Sequence, residues 1–423
     1  MNDNELIDVM VRRLGGELKG VLHQVEQGRI PAMALERVLR DRLWHMAAQA
    51  MGVMLEALDR QVVSGRPVHD YRTRTVVSVF GPIDVARTRC CQGDRYVCPL
   101  DEAIGLNGHR SWSVGVQEAV ALLSCESGFE TVADLMKRLL GVSVSHATVQ
   151  QLAEDAGECA EALPPSSPLS VQAPDTLIVA TDGCLAPQRD GWHEVKVATL
   201  YSKASRCRRG SGRGQLATKQ YVASLAKADR FGEHLWSHAA AWGAATARRV
   251  VVMGDGAAWI WNLSAMHFPE AIEIVDFYHA VEHLWATGEA LWGDRQTSVR
   301  TRSWVRRYRR YLREGRVELI LAAIDRSLRQ QDAAMTTERR KTIHLNREYF
   351  RRNTSRMRYG RFRQMRLPIG TGAVEGACKH VVQSRLKRPG TRWSECGLKN
   401  MLALKLARIN DRWEELWPKL YAA

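Results

Sequence analysis

The chain has 423 residues, 45% hydrophobic and 25% charged, with a net charge of +15. That length is enough for two or three domains with real cores, the composition fits a soluble globular protein, and no apolar run reaches the length of a membrane span. The acidic start Met1-Asn-Asp-Asn-Glu-Leu-Ile-Asp8 is not that of a secretory signal, and nine scattered cysteines without a Cys-x-x-Cys pair fit a reducing cytoplasm.

Residues 1–65 are expected to be helical, since Gly and Pro are few and Leu35, Val38, Leu39, Leu43 and Met46 recur at helical spacing. Residues 66–162 form a second region. There Thr75–Phe80 and Ile83–Arg89 read as a β-hairpin turning at Gly81-Pro82. Cys90, Cys91 and Cys98, with His109 beyond, are metal-ligand types, but their spacing matches no common zinc finger. Glu130–Leu140, the turn Gly141–Ser145 and His146–Ala153 then outline a DNA-binding helix-turn-helix with Ser145 at the N-cap. Ser143, Ser145, His146, Thr148 and Gln150 would be its base-reading side chains. The same outline fits an ordinary helical hairpin.

Ala162-Leu-Pro-Pro-Ser-Ser-Pro-Leu169 reads as a linker. Beyond it, strands are expected at Thr176–Asp182, His193–Tyr201 and about Thr218–Leu225, antiparallel because short connections join them, with a Ser/Arg/Gly loop over 202–214. A helix at Gly232–Ala245, a strand at Arg249–Gly254, a helix at Ala257–His267 and a strand at Ala271–Asp276 follow. Strands reached through helices should run parallel to the first. This α/β layout is that of a ribonuclease-H-like mixed five-stranded core. Its first part spans 170–289, a basic helical insertion 290–366, and its last part, with C-terminal helices, 367–423.

Charge is concentrated in the insertion. Arg300–Arg366 holds 21 Lys and Arg against 6 Asp and Glu, a surplus equal to that of the whole chain. Trp304, Tyr308, Tyr311, Tyr349, Phe350, Tyr359 and Phe362 are interleaved with the cations, a pattern that suits nucleic acid. Arg306, Arg307, Arg309 and Arg310 form its densest cluster. A solvated helical face is the plainer reading.

Three acids stand in settings that suggest catalysis. Asp182 closes the run Thr176-Leu-Ile-Val-Ala-Thr-Asp182, Asp255 closes Arg249-Val-Val-Val-Met-Gly-Asp255, and Glu375 opens a helix after Gly370-Thr-Gly-Ala-Val. Adjacent strands lie about 4.8 Å apart, so Asp182 and Asp255 would meet at the carboxyl ends of the sheet, where open α/β sheets place ligands. Two carboxylates so close repel unless a cation intervenes. With Glu375 they would hold two Mg²⁺ or Mn²⁺ ions over a phosphodiester. Gly183, Gly254 and Gly256 would let DNA backbone approach. Strand-end aspartates are also common turn formers and helix caps. Asp276 falls about 9.6 Å from Asp182 by strand counting, so with His279 it would orient the site or touch DNA. Glu282 and Glu289 are reserves for the third carboxylate. Around Glu375 stand Lys379, His380, Arg385, Lys387, Arg388, Arg392 and Trp393. Lys379 would contact phosphate or pair with Glu375 one turn away.

Gly254-Asp-Gly-Ala-Ala-Trp-Ile260, Asp276-Phe-Tyr-His-Ala-Val-Glu-His-Leu284, Gly372-Ala-Val-Glu-Gly-Ala-Cys-Lys-His380 and Arg385-Leu-Lys-Arg-Pro-Gly-Thr-Arg-Trp393 together resemble bacterial insertion-sequence DDE transposases of the Kra-type group, related to the Mutator-like class, over about residues 70–415. The resemblance implies that Asp182, Asp255 and Glu375 are catalytic metal ligands and that Asp276 and His279 form the Asp-x-x-His element of that class. It implies cleavage at element ends and joining of the 3′-hydroxyl to target DNA. The expected partner is double-stranded DNA, the expected state a homodimer or larger, and the expected place the cytoplasm, at the nucleoid. Contacts to DNA would come from Ser145, His146 and Thr148, from Arg306, Arg307, Arg309 and Arg310, and from Lys379, Arg385, Lys387, Arg392 and Trp393. A nuclease of the same fold that cuts without joining, and an inactive DNA-binding regulator, are the alternatives.

Overall fold

The structure is a computed structural model describing residues 3–106, 111–166, 174–207, 215–216, 218–331 and 335–422. The chain divides into two units, Met1–Leu163 with Asp411–Ala423, and Pro164–Asn410. His109 and residues 208–214 of the Ser/Arg/Gly loop lie outside the described residues. The protein is mixed α/β and mostly helical, and strands of its largest sheet run both ways. Among the described residues no helix is long and apolar enough to cross a membrane.

The first unit opens with two long helices, α1 (Asp3–Glu26) and α2 (Leu35–Val62). The hairpin follows as β1 (Val68–Ser78) and β2 (Gly81–Gln92), with a short third strand β3 (Arg95–Val97) and α3 (Pro99–Ala103). Its turn is at Val79-Phe80 and not at Gly81-Pro82, because Pro82 pairs with Val77 inside the ladder. Gly81 takes φ +112°, a backbone shape open to glycine. The Ser78 hydroxyl closes the turn, accepting from the Phe80 N–H and donating to the Gly81 carbonyl. Leu55, Val76, Ile83, Val85 and Leu100 pack α2 and α3 against the hairpin.

A second core of this unit is helical. It joins α4 (Val114–Ser124), α5 (Phe129–Leu140) and α6 (His146–Glu161) through Val116, Val120, Val132, Met136, Val149 and Leu152. Ser145 caps α6, its hydroxyl accepting from the Thr148 N–H at 3.1 Å. The helix runs two turns past Ala153, its Val149/Leu152/Ala156 stripe continuing inward.

The second unit is built on a five-stranded sheet. β4 (Thr176–Gln188) and β5 (Gly191–Ser202) form a long hairpin, followed by the small pair β6 (Arg206–Cys207) and β7 (Gln215–Leu216) and by β8 (Gln220–Ser224). Then come α7 (Ala228–Ala241), β9 (Arg249–Gly254), α8 (Ala258–His267) and β10 (Ile272–Val275). The sheet order is β10-β9-β4-β5-β8. β4, β5 and β8 are antiparallel neighbours, whereas β9 and β10 run parallel to β4. Ile178, Val179, Val251 and Val252 are fully buried on the central pair, each worth about 1.5–3 kcal/mol, which fixes the register of the ends beyond them.

Five helices separate the sheet from the last part of this unit: α9 (Phe277–Trp292), α10 (Val299–Glu314), α11 (Val317–Gln331), α12 (Thr337–Arg352) and α13 (Tyr359–Gln364). Caps at Asp276, Ser298 and Thr336 start three of them. α14 (Gly372–Ala377) passes through a π-wound turn, Cys378–Gln383, into α15 (Ser384–Leu386), and α16 (Glu395–Ile409) follows a Ser394 cap. The chain then returns to the first unit as α17 (Trp413–Ala422), where the Trp413 Nε1–H donates to Glu118.

Candidate active site

The parallel pairing of β4 with β9 ends at Ala180↔Met253. Two residues later each chain segment carries an aspartate. Asp255 lies just past the end of β9. Asp182 does not close its strand as expected: β4 continues to Gln188, and Asp182 pairs with Val197 of β5. Its position is where β4 parts from β9, and its half-buried carboxylate lies near Cys378, His279 and Asp255. Burial raises the Asp182 carboxyl above its ordinary range, and the nearby charge of Asp255 adds to the rise. The Gly183 N–H at 2.8 Å, the Cys378 thiol at 3.7 Å and the neighbouring His279 act against it. Asp255 also shapes its own turn, accepting from the Ala257 N–H at 2.9 Å.

The flanking glycines have other tasks than admitting a ligand. A Cβ at Gly254 would stand 2.6 Å from Ile260, one at Gly256 would stand 2.6 Å from the Tyr349 ring, and one at Gly183 would strike Glu194. Gly256 also takes φ +109°. The space at each of these glycines is therefore taken by the protein's own side chains.

Asp276 is a helix cap and a clamp. It is 5% exposed. One oxygen accepts from the His279 N–H at 2.8 Å, and the other from the Thr371 N–H and, at 2.5 Å, from the Thr371 hydroxyl. The Phe277 N–H donates to the Ile369 carbonyl. These bonds tie the loop leading into α14 to the end of β10. Four residues past His279, His283 stacks its ring on Tyr349 at 3.5 Å, and its Nδ1 lies 2.6 Å from the Asn346 side-chain oxygen. Burial lowers the His283 pKa. The Tyr349 hydroxyl donates to the Asp255 carbonyl at 2.8 Å, so α12 supports the Asp255 turn directly. His279 lies 3.3 Å from His283, ring nitrogen to ring nitrogen, and is exposed. Sequence reading gave no site role of their own to Cys378 and His283 and set Tyr349 among the aromatics of the basic insertion, whereas it packs against His283 and the Asp255 turn. The i,i+4 spacing of His279 and His283 on one helix face was a usable signal. Tyr349 stands 94 residues from Asp255 and gave none.

Glu375 does not join the two aspartates. Its helix packs on the same sheet, the Thr199 hydroxyl donating to the Ala373 carbonyl at 3.5 Å. Its side chain, though, is 68% exposed and paired with Lys379 at 3.1 Å. Among the described residues no group of three or more His, Cys, Asp or Glu is placed to hold a metal ion. This covers Cys90, Cys91 and Cys98 as well.

The basic residues sort by exposure. Arg306, Arg307, Arg309 and Arg310 are exposed on α10, beside a ladder of Trp292, Trp304, Tyr308 and Tyr311 rings at 4.7–5.8 Å centroid spacing. Phe350, Tyr359 and Phe362 are buried, since the apolar stripe of each helix turns inward. Lys387 and Arg392 are exposed. Arg385 and Trp393 are not available to DNA as expected. Arg385 is 2% and Trp393 4% exposed; they stack on each other, and the indole N–H donates to the Leu386 carbonyl. In the first unit Ser143, Ser145 and His146 are exposed, Ser145 is spent on the cap with Thr148, and Gln150 donates to Glu154.

The model of an uncharacterised protein family, UPF0236, matches residues 30–416. The chain belongs to that family. It is 23% identical over 410 residues to the "UPF0236 protein in vanSb 3'region" of Streptococcus gallolyticus, covering 92% of this chain and 85% of that protein. The resemblance to Kra-type insertion-sequence transposases is corrected by these matches, neither of which names a transposase. The four motifs that carried it are short, and short motifs report local geometry more than descent.

Proposed function

For this member of the UPF0236 family we propose a divalent-metal-dependent activity that cuts DNA strands and joins the freed 3′-hydroxyl to other DNA, the chemistry of a DDE transposase. The reading rests on the site, not on kinship. The observation that carries it is the approach of Asp182 and Asp255 just past the point where the parallel pairing of β4 and β9 ends, the side of an α/β sheet where ligands bind. The order β10-β9-β4-β5-β8, three antiparallel strands and two parallel ones, supports a ribonuclease-H-like core. The exposed arginines of α10 supply a surface for double-stranded DNA, and holding two DNA ends calls for a homodimer or larger.

The donor set partly fits Mg²⁺ or Mn²⁺. Carboxylate oxygens are the ligands such hard cations take, and the repulsion Asp182 feels from Asp255 is what a cation relieves. Two carboxylates leave the set a donor short, and Glu375 supplies the third only by leaving Lys379. When bound, the ions would acidify a water and neutralise charge at the phosphorus. The chain's own residues do the rest. Cys378 and Gly183 hold the Asp182 carboxylate in place, and Tyr349 holds the Asp255 turn. His279, beside Asp182, is placed to take or give a proton at the attacking or leaving oxygen. Lys379 is free to meet phosphate once Glu375 turns inward.

Incubation of the purified chain with plasmid and terminal-repeat DNA, with and without Mg²⁺ or Mn²⁺, tests this. Metal-dependent nicking with joined 3′-ends is expected; cut but unjoined ends would mean a nuclease. The outward Glu375 and the lack of a three-donor set among the described residues favour a second reading, a DNA-binding regulator without catalysis. DNA binding with no cleavage under either metal would establish that reading over the first.

A further inference from the structure

Of the thirteen tryptophans, only Trp192 is exposed, at 59%. It stands at the tip of the β4–β5 hairpin, paired with Pro187. The basic loop between Leu386 and Trp393 is fastened to that tip. The Arg189 N–H donates to the Trp393 carbonyl at 3.0 Å, and the Trp393 N–H donates to the Pro187 carbonyl at 3.2 Å. The buried Trp393 ring anchors the far end of the loop. As a result Lys387 stands 5.2 Å from the centre of the Trp192 ring, with Arg189, Arg388 and Arg392 also exposed. The two acids near the tip are both paired, Asp190 with His193 at 3.0 Å and Glu194 with Lys196 at 2.9 Å.

We propose that Trp192 is a stacking platform for an unpaired nucleobase of a DNA strand drawn along this hairpin. The proposal rests on the DNA-processing reading above and names the substrate state the site takes. An exposed indole with Lys387 over its ring and further exposed cations on the same hairpin tip and loop suits a polyanion that carries flat rings. Inside a duplex both faces of each base are already stacked, so only an unpaired or terminal base can use the ring. Pro187 lies five residues beyond Asp182 on β4, about 17 Å at 3.3–3.4 Å per residue. The platform would thus hold the unpaired strand a few nucleotides from the carboxylates.

The full chain is titrated with oligonucleotides carrying 2-aminopurine, either in a single-stranded overhang or inside a blunt duplex. Wild-type protein should quench the overhang probe and bind it about tenfold more tightly than Trp192→Ala does, the worth of one stacked base. Trp192→Phe should retain most of that gain, and duplex binding should be the same in all three. If Trp192→Ala quenches and binds the overhang like wild type, the stacking role is overturned while duplex binding leaves the DNA reading standing. If Trp192→Ala changes only the oligomeric state, the ring is a self-association contact and the proposal fails. If the wild type binds neither DNA, both readings fail together.

Discussion

Asp182 and Asp276 are carboxylates at the same end of one sheet, yet their surroundings are opposite. Asp276 is saturated: three donors from His279 and Thr371 fill its oxygens. Asp182 has one backbone donor and a weak thiol, and faces another aspartate. A saturated buried acid is part of the structure. A half-buried acid left beside a like charge is held at a cost to folding, and such groups cluster at functional sites. The basic residues divide in the same way. Arg385 stacks on Trp393 inside the fold, whereas the α10 arginines face solvent.

The sharpest test of the contrast is catalytic. Asp182→Ala and Asp255→Ala should each abolish metal-dependent cleavage, by a factor of about 10³ or more, while thermal unfolding and DNA binding stay near wild type. Retained cleavage in either variant would remove that aspartate from the site. Asp276→Ala should do the reverse and unsettle the fold first. It leaves the Thr371 and His279 donors unpaired, which costs on the order of 3 kcal/mol, or about 6–12 °C in Tm for a unit of this size. An Asp276→Ala protein that melts like wild type but is inactive would move Asp276 into the chemistry.

Much of this contrast could be read from the residues, and the rest is lost for identifiable reasons. Val250, Val251 and Val252 make β9 unmistakable, and its bounds come out as expected. Asp182-Gly183 reads as the end of a strand, because the turn formers there hide the Cys184–Gln188 continuation that only pairing with β5 sustains. Asp276 carries the same local signature as Asp182. What separates them is Thr371, 95 residues away, and sequence spacing does not report such a partner. Trp393 sits among cations in the sequence as Trp192 does not, yet Trp393 is buried and Trp192 exposed. A basic neighbourhood tells nothing of which way a ring turns.

Removing charge from the two kinds of arginine should separate affinity from stability. Arg306, Arg307, Arg309 and Arg310 changed together to alanine should leave Tm within about 1 °C, since exposed substitutions shift stability little. Each arginine that meets a phosphate should lower the slope of log affinity against log salt by about 0.9. Arg385→Ala should lower Tm and leave that slope alone. An unchanged salt slope in the fourfold variant would detach α10 from DNA.

The smallest expected effect is the most direct probe of Asp182. Its carboxyl is raised in the folded chain by burial and then by Asp255, so the native state binds a proton that the unfolded state has already released. Stability must therefore fall as pH rises from the unfolded carboxyl range through the raised native pKa, and stay lower above it. Asp182→Asn, which cannot ionise, should flatten that part of the curve and melt slightly higher than wild type at neutral pH without metal. Added Mg²⁺ should reverse the order, stabilising wild type through the ionised pair and leaving Asp182→Asn nearly unmoved. Melting curves across pH 4–8, with and without metal, read all three differences. If Mg²⁺ stabilises both proteins equally, the cation binds elsewhere and Asp182 is a strained acid with no ligand of its own.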